Sequence, residues 1–444
     1  MKHYGKLIVG EEICRFEFEN YILTVISETD KCLVWNNLSS ILNNDWLTLT
    51  DNDNNILYLK VDGIRYCGRC EYCYNVVGYL LQYSYYDFKL KTRVSQPFSF
   101  EHIIIRNDIL DYFFRNDNTY IESAAILLQN WCSHSPEKKP SSNRPTYQIT
   151  INQIEYNMNF IVMIEGSNEP FPFNINNAIK VSGAISNDIE CLWDIIKTMH
   201  LFLKFIAQSP SVNFDKGIRV YCGDDINESG TFFYLRPEQE RIIYPERVLE
   251  YSTLKDGIGK LINSISSNKI YFRSLFSVDT DLITYADIMN TCAAFESQYD
   301  SLYGEFKDKK KSNVKKKMIE MITENKDLFT EEEESYYEDI LTGFRNYRDS
   351  LKQRIEFALS EFVKIYGDEN VQFDFEQTYL DMPTRIKDAR NALDHGNKEH
   401  ILTNSMYWDS ELLRAITYML ILKQAHIPDE QIRKCLKKLS KSAV

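Results

Sequence analysis

The spacing of apolar residues changes period along this chain, and that change constrains the fold most. Up to about residue 278 the pattern is mostly alternating, as at 15–19, 22–27, 56–61 and 100–105. Alternation sends successive side chains to opposite faces, which is the signature of a half-buried strand. The stretch 76–88 is apolar and rich in tyrosine, as a long strand or hairpin would be. Asp51-Asn52-Asp53-Asn54-Asn55 and Asp62-Gly63 read as turns, and strand-like runs resume at 147–151, 159–165, 218–222 and 231–235. The 29 Tyr and 25 Phe suit sheets with large packed faces.

One strong helix interrupts this region. Ile189, Leu192, Trp193, Ile196, Met199, Leu203 and Ile206 fall on one helical face. Asn187 is expected to cap it, with Glu190 completing a capping box. His200 on that helix reads as a packed core histidine. Another helix is expected over 248–264.

From about Asp279 the spacing becomes helical. Tyr285, Ile288, Met289, Cys292, Phe295, Glu296 and Tyr299 start an amphipathic helix. A long helix is expected within 333–366 and another over 376–395, with Pro383 in its first turn. Helices over 410–425 and 428–441 close the chain. The fold class is therefore α+β: a β-rich region over 1–278, then an all-helical bundle over 279–444. The run Ser-Pro-Glu-Lys-Lys-Pro-Ser-Ser-Asn-Arg-Pro at 135–145 reads as a linker that subdivides the first region. A chain of 444 residues is too long for one ordinary core, so two or more domains are expected.

The net charge is −13, which excludes a protein that coats duplex nucleic acid by charge alone. Any nucleic-acid contact has to be local. The lysine run Lys307, Lys309, Lys310, Lys311, Lys315, Lys316 and Lys317 is one place for it, with a solvated helix face as the plainer reading. No apolar run is long enough to span a bilayer, and the N-terminus lacks a signal-peptide core. The chain reads as cytoplasmic, where its ten cysteines are expected as thiols or metal ligands rather than disulfides.

The chemistry-bearing segment is Asp388-Ala389-Arg390-Asn391-Ala392-Leu393-Asp394-His395-Gly396. Arg390 and His395 are five steps apart, about 140° around a helix, so they do not share a face. Gly396 is a helix stop, which puts His395 in the last turn. The carbonyl end of the helix and Asp394 both favour a positive ring there, which suits a proton donor. Arg390 offers a fixed charged fork that matches phosphate oxygens, and Asn391 can orient a ribose or phosphate. These groups suffice for cleavage of RNA by its own 2′-OH, with His395 moving a proton and Arg390 stabilising the transition state. No metal is needed, because the nucleophile comes with the substrate. DNA lacks the 2′-OH and would be inert.

This segment resembles the Apea-like branch of HEPN domains, which carry an Arg-Asn-x-x-x-His-Gly-like signature. The helix containing Phe295-Glu296 and the stretch from Leu412-Leu413-Arg414 to Leu436 look like theirs, so the likeness covers about 280–444. More weakly, the β-rich region is similar to the N-terminal domain of ApeA-type anti-phage proteins. The resemblance implies an endoribonuclease whose site is paired across a homodimer. It also implies defence by abortive infection, with a tRNA or other host RNA as substrate and a phage-derived trigger. The alternative is a non-catalytic HEPN dimerisation module carrying a ligand- or protein-binding sensor domain.

A second cluster is Cys67, Cys70 and Cys73. Cys67-Gly68-Arg69-Cys70 resembles half of a zinc knuckle, and two thiolates at that spacing chelate one tetrahedral Zn²⁺. Cys73 would be the third ligand of a structural zinc. Cys132 or His134 would be the fourth, with Cys32 and His102 as further candidates. A reduced, unmetallated cluster is an equal reading. No dinucleotide fingerprint, Walker loop or His-Glu-x-x-His helix occurs.

Overall fold

The computed structural model describes residues 2–9, 12–27, 46–68, 71–87, 89–117, 144–166, 173–210, 212–214, 217–222, 228–234, 244–272, 275, 284–306, 308–330, 333–367, 379–396 and 403–440. They fall into two compact units, 1–207 with 211–252, and 208–210 with 253–444.

The first unit opens on a meander of β1 (Lys2–Val9), β2 (Glu12–Glu19) and β3 (Ile22–Ser27). The two residues between β2 and β3, Asn20 and Tyr21, both have positive φ (51° and 61°), the backbone of a tight primed hairpin turn. Tyr is a poor fit to that conformation. Its hydroxyl donates to the Tyr234 carbonyl at 2.7 Å and its ring packs on Tyr79, which holds it there.

Next come β4 (Trp46–Thr50), β5 (Ile56–Gly68) and β6 (Glu71–Gln82). The expected turn at Asp51–Asn55 is present: the Asp51 carboxylate accepts from the amides of Asp53 and Asn55, both at 2.9 Å. Asp62-Gly63, in contrast, is no turn. It lies inside β5, where the register with β6 shifts between Val61 and Ile64 and Gly63 has φ 91°. An alternating pattern continues through such a bulge, so local turn chemistry misreads it.

These six strands close on themselves in the order β1-β2-β3-β6-β5-β4, because Gly5 bridges back to Asp51. A Cβ at Gly5 would sit 2.5 Å from the Phe16 ring and 2.6 Å from the Thr50 carbonyl, so only glycine lets β1 meet β4. His3 Nδ1 lies 2.9 Å from Asp51 Oδ2 across the same seam, both buried. Phe16, Phe18, Leu23, Leu57, Leu59 and Tyr74 fill the interior.

The remaining strands extend the sheet from the far end of β6. They are β7 (Tyr85–Asp87) and β8 (Thr92–Val94), a separate ribbon, then β9 (Phe100–Arg106), β10 (Tyr147–Ile151), β11 (Ile154–Gly166), β12 (Phe173–Ser186), β13 (Ile218–Tyr221) and β14 (Glu228–Tyr234). Their order is β6-β14-β13-β9-β12-β11-β10, all antiparallel. Helices α1 (Asp108–Phe113) and α2 (Ile189–Ala207) cover one face, where Phe113, Phe160 and Phe202 meet. The cap of α2 is not Asn187. Asp188 accepts the Glu190 amide at 2.9 Å, and the Glu190 carboxylate instead takes Trp46 Nε1 and Lys60 Nζ, both at 2.7 Å. His200 is buried as expected and hydrogen-bonds to the Val212 carbonyl at 2.9 Å. The expected linker lies outside the described residues, except for Arg144 and Pro145.

The second unit is helical: α3 (Ile258–Ser266), α4 (Tyr285–Tyr303), α5 (Lys309–Glu324), α6 (Glu334–Asn346), α7 (Leu351–Tyr366), α8 (Met382–Asp394), α9 (Asn404–Gln424) and α10 (Asp429–Ser440). α3 packs on α9, and Lys260 Nζ reaches His426 Nδ1 at 2.7 Å, so this unit starts before the expected 278/279 boundary. The single helix expected within 333–366 is two. Ser350 starts α7 with a capping box, its hydroxyl taking the Gln353 amide while Gln353 takes the Ser350 amide. α9 is apolar nearly all round and forms the middle of the bundle, flanked by α4, α8, α7 and α10. Among the described residues, no helix is long and apolar enough to cross a membrane.

Candidate active site

α8 starts with Met382 and Pro383 in its first turn, as the sequence predicts. Arg385 pins this helix to the start of α9. Its Nε and Nη2 donate to the two oxygens of Asp409 at 2.7 and 2.6 Å, and Asp409 is fully buried. A bidentate fork of this kind fixes the rotation of α8 and hence the direction of every side chain further along it.

The last turn carries the motif. α8 ends at Asp394, and His395 is the cap residue, its amide donating to the Asn391 carbonyl at 3.1 Å. Gly396 has φ 74° and donates to the Leu393 carbonyl at 3.0 Å, the left-handed helix stop that glycine adopts without strain. His395 is exposed, and its ring makes no hydrogen bond among the described residues. Asn391 is half-buried.

Arg390 points elsewhere. Its Nη1 lies 3.4 Å from Asp394 Oδ2, one turn on, and its Nη2 lies 3.8 Å from Glu296 Oε2 on α4. Arg390 is thus engaged by Asp394 and Glu296, whereas the His395 ring has no hydrogen-bond partner among the described residues. Asp394 faces Arg390, whereas the sequence suggested it as a neighbour of His395.

Glu296 is the residue whose role the sequence reading missed. Its second oxygen lies 3.8 Å from Arg354 Nη1, and the same nitrogen lies 2.9 Å from Asp300 Oδ1. Arg354 on α7 is completely buried, and its guanidinium packs near the Tyr299 ring. Its nitrogens lack well-aligned hydrogen bonds, so it acts by charge more than by directed bonding. Arg354, Glu296, Arg390 and Asp394 therefore form an alternating chain of charges from core to surface. The signal for Arg354 was available: it interrupts an apolar stripe of Leu351, Ile355, Ala358, Leu359 and Phe362. Cys292, one turn before Glu296, is buried and its thiol is pushed up to about 12, chiefly by burial. It is an inert neighbour, not a nucleophile.

The cysteine cluster fares differently. Gly68 pairs with Glu71 across β5 and β6. Cys73, on β6, is disulfide-bonded, against the expectation of free thiols. A disulfide sulfur is no thiolate, so Cys73 could serve a zinc only once that bond is reduced. Thr24 Oγ1 lies 3.8 Å from that sulfur. His102 is on β9, three strands away from β6 in the sheet order and stacked on Tyr221 at 4.8 Å, too far to share an ion with Cys73. The side chain of Cys67, and Cys32, Cys70, Cys132 and His134 altogether, lie outside the described residues. Among the described residues no group of three His, Cys, Asp or Glu could hold a metal.

Residues 289–431 match the family described as Apea-like HEPN. The matched segment takes in Glu296, Arg354, Arg390, Asn391, Asp394 and His395. This segment of the helical unit is thus an Apea-like HEPN domain. No curated protein and no solved structure matches the chain.

Proposed function

We propose that the HEPN domain is an endoribonuclease acting through Arg390 and His395. The single observation that supports this reading is the end of α8. A glycine-terminated helix leaves His395 exposed, while Arg390 is held one turn inside by two carboxylates. The 2′-oxygen of a ribose attacks the adjacent phosphorus, forming a 2′-O–P bond as the P–O5′ bond breaks. The products are a 2′,3′-cyclic phosphate and a 5′-hydroxyl. One imidazole takes the 2′-OH proton and one supplies a proton to O5′. A homodimer that pairs two α8 ends provides both from His395 and its copy. Arg390 stabilises the phosphorane-like charge. Asn391, half-buried beside it, orients the ribose. The chemistry runs without a metal, since the substrate brings its own nucleophile.

The β-rich unit has the place of a sensing domain that holds a toxic activity in check. This fits a role in anti-phage defence by abortive infection in the cytoplasm, with a host RNA as target and a phage component as trigger. Arg390→Ala and His395→Ala test the assignment by RNA cleavage and by toxicity to the host cell. Loss of both readouts in either variant is expected, and two fully active variants would overturn it.

A second reading has its own observation. Arg390 is already paired with Glu296 and Asp394, as a purely structural arginine would be. On this reading the domain dimerises without cleaving, and the β-rich unit binds a partner. A normal dimer in which the wild type cuts no RNA under any trigger would favour it.

A further inference from the structure

We propose that the basic face of α5 is the surface that holds the RNA backbone, an inference that rests on the ribonuclease reading above. α5 and α6 pack on each other as a hairpin, and α5 buries none of its residues. Two lysines tie it down. Lys311 Nζ reaches Asp349 at 2.8 Å, and Lys315 reaches Glu305 at 2.5 Å with its charge over the Phe306 ring. Lys309, Lys310 and Lys317 make no ion pair among the described residues, and Lys316 has only Glu320 at 3.9 Å.

Positions 309, 310, 313, 316 and 317 fall within about 120° of the helix circumference. The free ammonium groups therefore share one face, with Asn313 between them. Glu320 and Glu324 continue that face, so the uncompensated charge ends at Lys317. On a chain of net charge −13, such a face is where a polyanion can approach without repulsion. Ammonium groups on flexible stems track a phosphate backbone without reading bases.

Val314, Met318 and Met321 lie along the next strip of the helix, 59%, 39% and 60% exposed. An apolar strip alone would invite a second copy of this hairpin. The lysines beside it would then meet lysines, which disfavours that occupant. A basic helix with an apolar strip also suits an anionic membrane surface. The strip is three side chains without an aromatic, so the charge carries the argument for RNA.

The test uses the full chain and a fluorescent single strand of 2′-O-methyl RNA, which binds but cannot be cleaved through its 2′-oxygen. Replacing Lys309, Lys310 and Lys317 together by Gln should weaken binding about 100-fold near 0.1 M salt. The slope of log affinity against log salt should become shallower by about 2. The triple Arg variant should bind like the wild type. Unchanged affinity and slope in the Gln variant would overturn the proposal. So would a wild type that ignores the strand but sediments with phosphatidylserine vesicles. If the probe binds in this lysine-dependent way while unmodified RNA is never cut, the docking surface stands and the ribonuclease reading falls.

Discussion

The two units bury charge in opposite ways. In the β-rich unit, buried charges close seams. His3 and Asp51 join β1 to the turn after β4, and Arg144 is held by Asp117 at 3.3 Å, by Asn177 and by the Phe114 ring. Each such group has its partners within the fold and leads nowhere. In the helical unit Arg354 is completely buried, yet its partners pass the charge on to Arg390, which is one-third exposed. Buried polar groups that end among themselves specify a structure. Buried polar groups that lead to an accessible cation prepare one for use.

The difference can be broken at its active end first. His395→Ala should lower RNA cleavage by about 10³-fold, the usual worth of a general acid or base, with little change in the melting temperature. Arg354→Met should cost about 3–5 kcal/mol of stability, because Glu296 and Asp300 lose a buried cation. Its folded fraction should also cleave more slowly, since Glu296 loses the buried cation that positions it beside Arg390. Arg144→Met should destabilise the β-rich unit without touching the cleavage rate of folded protein. A slower folded enzyme in that variant would erase the contrast.

The histidine of α2 sharpens the comparison through pH. Burial, helped by Lys204, holds His200 to about 4 from an ordinary 6.5, opposed by its bond to Val212. The unfolded chain therefore binds the proton near pH 6.5 and the folded chain only near 4. Its contribution is complete above pH 6.5 and is lost as pH falls through that window, by about 3 kcal/mol at the bottom. Denaturant titrations from pH 7 to 4 should show a flatter stability curve for His200→Gln. The smallest effect is at a cap: Ser350→Ala should cost about 1 kcal/mol, and a neutral result would mean that α6 and α7 are set apart by packing alone.

Much of this was legible because the signals were local. Alternation placed most strands, helical spacing placed α2 and α4, and Gly396 placed the end of α8. The misreadings have physical causes. Gly63 looked like a turn because a bulge and a turn use the same residue types. The break between α6 and α7 went unread because residues 347–350 hold no glycine or proline, only the serine that restarts the helix. Closure of the first six strands depends on Gly5 meeting Asp51, a contact across 46 positions that no local pattern encodes. The same holds for Glu296 and Arg354: helical spacing shows each face, and only packing shows that the faces meet.

The end of α8 also sets a timescale. Past Asp394, His395 and Gly396 are held by two terminal backbone bonds, to the Asn391 and Leu393 carbonyls. A last turn held this way frays far more often than the turn that Glu296 and Asp409 anchor. Amide exchange at His395 and Gly396 should therefore run orders of magnitude faster than at Ile386 and Ala389. The motif then couples a stationary cation to an imidazole on a rapidly opening hinge, so its geometry is a population rather than a fixed distance.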